Sequence, residues 1–526
     1  MNPNRSIWRH TLGDLLRRTA ARLPNKTAIV CGHTQWSYAE FDGICNRLAN
    51  GLAAQGVAAG DRVAVLSRNS HAFAALRFAL ARLGAVLVPI NFMLNAREIA
   101  YILGHSGASR LAVGPDMVEL GRAAMDEDAG QVSELIWLPG EHEAGAPEGM
   151  LSFESLLAQD AGEPDADIDG SSLLQIIYTS GTESLPKGAM LTHDAVIWQY
   201  TSCIVEGEIA EDDRLLHALP LYHCAQLDVF LGPGVYVGTT NVITGTPTAE
   251  NILALLAGHG INSFFAPPSI WIAMMRAPDF ARTDLSGLNK GYYGASIMPV
   301  PVLLELAERL PGLRLWNFYG QTEIAPLATV LKPHEQLTRA GSAGRAALNV
   351  ETRVVDDQMR DVAPGEIGEI VHRSPQLLQG YFNDAERTAA AFDGDWFHSG
   401  DLATRDADGY ITVVDRKKDM IKTGGENVAS REVEEAIYRY EPVSEVAVIG
   451  LAHPYWIEAV TAVVVPKPGS DFSEEGLLAH CRQALAHYKV PKRVLITDSL
   501  PKNPSGKLLK RELRTAYEHL FDNGES

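Results

Sequence analysis

Little in this chain marks it for export, for a membrane or for a disulfide scaffold. Its 526 residues hold five cysteines, Cys31, Cys45, Cys203, Cys224 and Cys481, with no close pair. Such scatter suggests neither a disulfide framework nor a Cys-rich zinc site, and a reducing, cytoplasmic setting is expected. Positive charge is scarce as well, with 45 Lys and Arg against 65 Asp and Glu, a net of −20. A general nucleic-acid binder needs a positive surface, so no nucleic-acid partner is expected. An anionic substrate must be held locally, by amides and a few cations. Long apolar runs are missing too. The most apolar stretch, "FAALRFALARLGAVLVPINF", is interrupted by Arg77 and Arg82. It reads as a buried helix running into a strand and not as a transmembrane segment. The opening "MNPNRSIWRHTLGDLLRRTAARL" has no apolar core of signal length. Leu12, Leu15, Leu16 and Ala20 predict an amphipathic first helix there.

What the chain does have is alternation. "YAEFDGICNRLANGLAAQG" has a helical pattern, "DRVAVLS" a strand pattern, "AFAALRFALARLG" a helical one again and "AVLVPIN" a strand. Repetition of this kind through the first 330 residues predicts βαβ units and a largely parallel sheet. Beyond about residue 340 the segments "ETRVVDD", "GEIGEIVHR" and "GYITVVDR" are short and turn-punctuated, which predicts an antiparallel or barrel-like piece. After "DRKKD" (415–419) a compact α+β pattern begins, with helices at "SREVEEAIYRY" and "SEEGLLAHCRQALAH". The expected fold class is therefore α/β. A large N-terminal domain carries mixed and parallel sheets flanked by helices, with the barrel-like piece, and a small α+β domain follows.

One loop carries the first chemistry. "YTSGTESLPKGAML" (178–191) follows the apolar run "LLQII" and is rich in Gly, Ser and Thr. Such a loop after a buried strand offers backbone N–H groups and hydroxyls to an anion, and Lys187 adds a point charge. It is not a Walker loop. Counting from Gly181, Pro186 stands where that pattern needs glycine and Gly188 where it needs a Mg²⁺-binding hydroxyl. A phosphotransferase releasing ADP is disfavoured, and any metal must be held elsewhere.

With "FYGQTE" (318–323), "HSGDLA" (398–403), "DRKKDMIKTGGENV" (415–428) and "PKNPSGKLLK" (501–510), the chain resembles the adenylate-forming superfamily. That group includes acyl-CoA synthetases, aryl-CoA ligases, luciferase and the adenylation domains of peptide synthetases. The resemblance implies an ATP-dependent carboxylate–CoA ligase with Mg²⁺ as cofactor and coenzyme A as co-substrate. The acid attacks the α-phosphate to give acyl-AMP and pyrophosphate, and a thiol then displaces AMP. It also implies an N-terminal AMP-binding domain over 1–414, a hinge at 415–418 and a mobile C-terminal domain over 419–526.

Residue by residue, the resemblance assigns Thr179, Ser180, Gly181, Thr182 and Lys187 to the β- and γ-phosphates. Tyr319 is the match for adenine stacking, Thr322 for the α-phosphate contact and Glu323 for the Mg²⁺ ligand; a hard cation prefers carboxylate oxygen. Gly294, Ala295 and Ser296 match the segment lining the adenine and acyl pockets. Asp401 and Arg416 match the ribose contacts and Lys418 the hinge. Gly424 and Gly425 match a passage for the pantetheine arm, and Lys507 matches the catalytic lysine. An ammonium between carboxylate and α-phosphate would screen two anions and offset charge growing in the transition state.

The acyl pocket is less legible. His223 matches a group beside the carboxylate, and Cys224, Ala225, Gln226, Ala295, Ala325 and Pro326 are expected near the acyl chain. A zinc site at His217, His223 and Cys224 is rejected because no second ligand cluster accompanies it. Asp228 has no assigned place. Without a clear acidic partner for an ammonium, amino-acid activation is disfavoured. A medium- or long-chain fatty acid is the first reading of the substrate, and an aryl or hydroxycinnamate acid the second. A carrier protein remains an alternative acceptor and a homodimer an open assembly state. The loop departs from the family's usual Thr-Gly at Glu183 and Ser184; Glu183 is expected to point away from the phosphates, which would repel it. For Lys507→Ala, adenylation is expected to be mostly lost while thioester formation from preformed acyl-adenylate largely survives. Equal loss of both half-reactions, measured separately, would contradict the assignment.

Overall fold

Thr11 and Asp14 start the first long helix, Leu12–Arg22. The Asp14 carboxylate accepts from the Thr11 amide at 3.0 Å and from its hydroxyl at 2.9 Å, which satisfies donors that a helix start leaves open. Leu12, Leu15, Leu16 and Ala20 are all buried on one face, as their spacing predicts. The computed structural model describes residues 5–128, 130–142, 145–179, 186–296, 298–417, 419–423, 426–503, 506 and 508–521.

Among the described residues, four sheets form. A nine-stranded sheet has a parallel centre built from Thr27–Cys31, Thr240–Ile243, Arg214–His217, Ser263–Phe265, Lys290–Gly294 and Arg314–Gly320. An eight-stranded sheet is parallel through Val86–Pro89, Arg62–Leu66, Arg110–Val113 and Glu134–Trp137, and antiparallel where Leu173–Thr179 meets Lys187–Thr192. One hydrophobic cluster joins side chains of both sheets to the helices Leu12–Arg22, Tyr38–Ala54 and His71–Leu83. Helices therefore fill the layer between the sheets, as βαβ patterning requires. All thirteen residues of His71–Leu83 are buried, including Arg77 and Arg82, so the interrupted apolar run is a core helix leading into Val86–Pro89.

The turn-rich stretch beyond 340 forms a five-stranded antiparallel sheet, Glu351–Val355, Gly368–Arg373, Trp396–Arg405, Phe392–Asp393 and Ile411–Arg416. A further five-stranded sheet begins at Ile421–Thr423 and contains the long antiparallel pair Val443–His453 and Ile457–Pro466, the latter central and the former at the edge. Helices Ser430–Tyr438 and Glu474–Ala484 pack their apolar faces on its core. The molecule is thus a mixed α/β fold with a large N-terminal and a small C-terminal domain. All five cysteines are buried free thiols, and no helix among the described residues is long and apolar enough to cross a membrane.

Arg77 pairs with Asp228 at 2.5 Å, both side chains fully buried. Asp228 also accepts from Gln175 at 2.7 Å and from the Tyr200 hydroxyl at 3.2 Å, and Arg77 donates to Gln175. Asp228 therefore has a place after all, in the core and away from any substrate. Arg82 is likewise paired with Asp42 and donates to Asn46. Buried charge survives only when paired and hydrogen-bonded.

Four buried histidines are held neutral. Burial pushes His71 and His217 down to about 4 and His193 and His372 down to about 3. His193 Nδ1 accepts from the Leu12 amide at 3.1 Å, a bond that needs that nitrogen bare. In the unfolded chain each ring titrates near ~6.5. Between that value and the folded-state values the unfolded chain binds the extra protons, so stability rises with pH across the window. The melting temperature is expected to drop as pH falls from ~7 to ~5, followed by calorimetry. A flat profile across that range would mean these rings are protonated in the fold.

Candidate active site

The strand Leu173–Thr179 and the strand Lys187–Thr192 pair so that Thr179 faces Lys187 across the ladder. Both end at one cavity of about 400 Å³, lined also by His223, Tyr319, Thr322, Glu323 and Arg416. That size suits a small-molecule site. Glu323 arrives from another direction, on the short turn Thr322–Ile324 that follows the strand Arg314–Gly320. Lys187 Nζ lies 3.0 Å from the Glu323 carboxylate. Tyr381 touches both, accepting from Lys187 at 2.6 Å and donating to Glu323 at 3.0 Å. The ammonium also sits 4.2 Å from the Tyr381 ring centroid. Burial, reinforced by Glu323, holds the Tyr381 phenol protonated, well above its ordinary range.

At the other rim the Tyr319 hydroxyl donates to Asp401 Oδ2 at 2.6 Å. Arg416 Nε approaches Asp401 Oδ1 at 3.2 Å. The register explains the pair, because Asp401 and Arg416 are directly opposed on adjacent antiparallel strands. Tyr319, Asp401 and Arg416, far apart in sequence, thus form one polar edge. Asp401 is only 5% exposed, so this contact is better desolvated than a surface ion pair.

The wall facing the polar groups is mostly apolar, with Val229, Phe265, Phe318, Pro326 and Leu327. Behind it Phe230 stacks on Phe265 with ring centroids 4.6 Å apart. His223 caps the turn Cys224–Gln226, and its Nδ1 accepts from the Ala225 amide at 3.1 Å. A neutral ring in that role carries its proton on Nε2. Cys224 lies 3.3 Å from the Thr322 hydroxyl, and burial pushes its thiol up to about 12, so it lines the wall as a thiol and not as a nucleophile.

Several expected positions differ. Gln226 does not reach the cavity; its amide donates to His217 Nδ1 at 2.7 Å, and His217 Nε2 meets Asn241 at 2.9 Å. Ala325 is fully buried in the core at φ 69°, and its neighbour Pro326 takes the wall position instead. Gly294 is required by the sheet and not by a ligand, since a Cβ there would meet the Phe318 carbonyl oxygen at 2.4 Å. Ser296 is exposed and off the wall, while Ala295 is on it. Ser180, Gly181, Thr182, Glu183, Ser184, Lys418, Gly424, Gly425 and Lys507 lie outside the described residues. Tyr381 was not legible in advance. It reaches Lys187 only through the pairing of Tyr381 with Ala189, and no local pattern in "LLQGYFND" signals that.

These elements define an AMP-binding enzyme. The model of the AMP-binding enzyme family matches residues 16–382 and that of the AMP-binding enzyme C-terminal domain matches 432–507, so the chain belongs to this family. It is 38% identical over 506 residues to a feruloyl-CoA synthase of an Amycolatopsis species, covering 96% of this chain and 99% of that protein. It is 35% identical to a long-chain-fatty-acid–CoA ligase of Mycobacterium tuberculosis, covering 96% and 98%. The crystal structure of an anthranilate CoA ligase with anthranoyl-AMP superposes with a TM-score of 0.90 at 26% identity, over 97% of each chain. The chain is an AMP-forming acid–thiol ligase of the acyl- and aryl-CoA ligase group, using ATP, Mg²⁺ and coenzyme A.

The Mg²⁺ requirement fits the residues present. This ion keeps several waters and takes one or two carboxylates plus substrate phosphates. Glu323 presents one such carboxylate on the cavity wall beside the Thr322 hydroxyl. Since Gln226 serves His217, Gln226→Leu is expected to cost about 1–3 kcal/mol of stability. The KM for the acid should stay within about twofold of wild type, since the lost bond lies in the core. A large rise in that KM without destabilisation would return Gln226 to the pocket.

Proposed function

We propose that the substrate is an aromatic acid of the arylpropenoate or arylalkanoate type, with no charged group besides its carboxylate. The observation that carries this is the composition of the wall. Among the described lining residues, the charged side chains are Lys187, Glu323 and Arg416. All three belong to the polar groups expected to meet nucleotide. The remainder is uncharged, a mixture of polar groups such as Tyr222, His223 and Gln321 with the apolar Phe265, Phe318, Phe397, Val229 and Leu327, backed by the Phe230–Phe265 stack. Flat rings bind well against such a surface. Among the described lining residues no carboxylate besides Glu323 is present for an ammonium, and the nearby Asp228 is committed to Arg77. The similarity to a feruloyl-CoA synthase supports the same reading. A medium- or long-chain aliphatic acid is the second reading, favoured by the similarity to a long-chain-fatty-acid–CoA ligase.

The residues fall into roles on this reading. Thr179 and Lys187 receive the phosphates that leave as pyrophosphate, with Ser180, Gly181 and Thr182 of the same loop. Tyr319 packs on adenine, and Asp401 and Arg416 take the ribose hydroxyls. Thr322 donates toward the α-phosphate, and His223 orients the acid carboxylate through its ring N–H. Glu323 would hold Mg²⁺, which when bound neutralises triphosphate charge. Lys507 screens carboxylate from α-phosphate.

The segment before Lys507 is seated against the large domain, which supports that last role. Gly506 adopts φ +77° with no room for a Cβ, which would lie 2.5 Å from Pro267. The Ser269 hydroxyl donates to the Gly506 carbonyl at 3.3 Å, and Asn503 reaches the cavity wall. Domains over 1–414 and 419–526, with the hinge at 415–418 including Lys418, would let the small domain exchange this contact for one in which Gly424 and Gly425 face the thiol.

A panel of ferulate, indoleacetate, octanoate and palmitate, assayed for pyrophosphate and AMP release with and without coenzyme A, tests the proposal. The aryl acids are expected to exceed the aliphatic ones in kcat/KM by at least about tenfold, a difference of ~1.4 kcal/mol in transition-state binding. The reverse order would establish the aliphatic reading.

A further inference from the structure

We infer that Tyr381 is a positioning residue of the nucleotide and magnesium site, its hydroxyl bonded to both Lys187 and Glu323 in the orientation that MgATP meets. The inference rests on the roles proposed above for Lys187 and Glu323. It begins with the backbone. The two-residue strand Gly380–Tyr381 pairs antiparallel with Lys187–Thr192, placing Tyr381 opposite Ala189. Lys187 is then the diagonal neighbour on the same face, within reach of a long side chain. The amide of Phe382 donates to the Gly188 carbonyl at 2.8 Å and that of Gln379 to Met190 at 3.0 Å. On the other side, the Leu378 amide donates to the Glu323 carbonyl at 2.8 Å. The Tyr381 amide is itself tied to the Thr388 hydroxyl at 2.8 Å. One short segment therefore clamps the strand carrying Lys187 to the turn carrying Glu323.

The chemistry of the three side chains completes the argument. An ammonium only donates hydrogen bonds and a carboxylate only accepts them, whereas a phenol does both. Tyr381 is 5% exposed and uses both capacities, accepting from Lys187 and donating to Glu323. Its ring lies under the ammonium as well, a favourable placement for a cation. In the free pocket, Lys187 and Glu323 also neutralise one another directly. MgATP has to draw the cation toward phosphate and the carboxylate toward metal. Each group then loses its ionic partner, and the phenol hydroxyl remains to give the carboxylate a donor and the ammonium an acceptor. Without that hydroxyl neither group has a replacement partner when the direct pair opens, so separating the pair costs the incoming MgATP more.

Tyr381→Phe keeps the ring, its packing and the cation–π contact, and removes only the hydroxyl. Titration calorimetry with MgATP, in the absence of acid, is expected to show binding about tenfold weaker, the size of one hydrogen bond to charged groups. The KM for ATP and the Mg²⁺ concentration giving half-maximal pyrophosphate release should rise in step, while the KM for the acid stays within about twofold. Unchanged MgATP affinity, or equal rises in both KM values, would overturn the inference, the latter pointing to general distortion. Lys187→Ala, measured in parallel, separates the two levels. If it leaves MgATP binding intact, the phosphate role of Lys187 fails; if it weakens binding while Tyr381→Phe does not, the inference for Tyr381 fails alone.

Discussion

A guanidinium with no access to water sets the frame of this active site. Arg77 sits in a helix buried over its whole length, and its partners come from two other places: Gln175 on the strand that runs into the phosphate loop, and Asp228 just after His223 and Cys224. Neither charge could stay in the core alone; removing one member of such a pair costs several kcal/mol because the other is left uncompensated. Satisfying Arg77 therefore requires the loop strand and the His223 turn to arrive together. The segment holding Asp228 is a π-type turn, Leu227–Leu231, a local departure that often occurs beside functional sites. It hands the chain from the wall residues His223 and Cys224 back to the core.

The cavity shows the same economy at its two polar ends. Each cation is given a carboxylate in the free protein: Lys187 has Glu323, and Arg416 has Asp401. Each pair is bridged or flanked by a tyrosine hydroxyl, from Tyr381 and Tyr319. The pairing stands out in a chain of net charge −20, in which cations are the scarcer group. Unpaired acidic groups would repel a triphosphate, and on the roles proposed above a nucleotide and metal would exchange partners with these acids and cations.

The alternating patterns of the first 330 residues and the Gly/Ser/Thr loop with Lys187 were readable because they are local. A strand followed by a hydroxyl-rich turn exposes amides whatever surrounds it. The absence of a Walker hydroxyl at Gly188 was readable for the same reason. Gln226 and Ala325 were harder, since each is one residue from a true wall position. Within a tight turn, a step of one residue swings a side chain from the cavity into the core, and a motif in the sequence does not record which way it faces. Asp228 could not be placed for the opposite reason: its partner, Arg77, is about 150 residues away and looks, in sequence, like an interruption of an apolar helix.

By itself, then, the sequence determined the α/β alternation and the motif order, which depend on residue type and short spacing, and the resemblance carried by those motifs implied the chemistry of a carboxylate-activating ligase. Only the tertiary structure decided which side chains share the cavity. Tyr381 meets Lys187 because of a two-residue strand pairing, Asp401 meets Arg416 because of register, and Gly294 is glycine because the neighbouring carbonyl at Phe318 fills its side-chain space. These contacts join residues far apart in the chain, and register and packing, which arise only when sheets assemble, bring them within hydrogen-bonding distance.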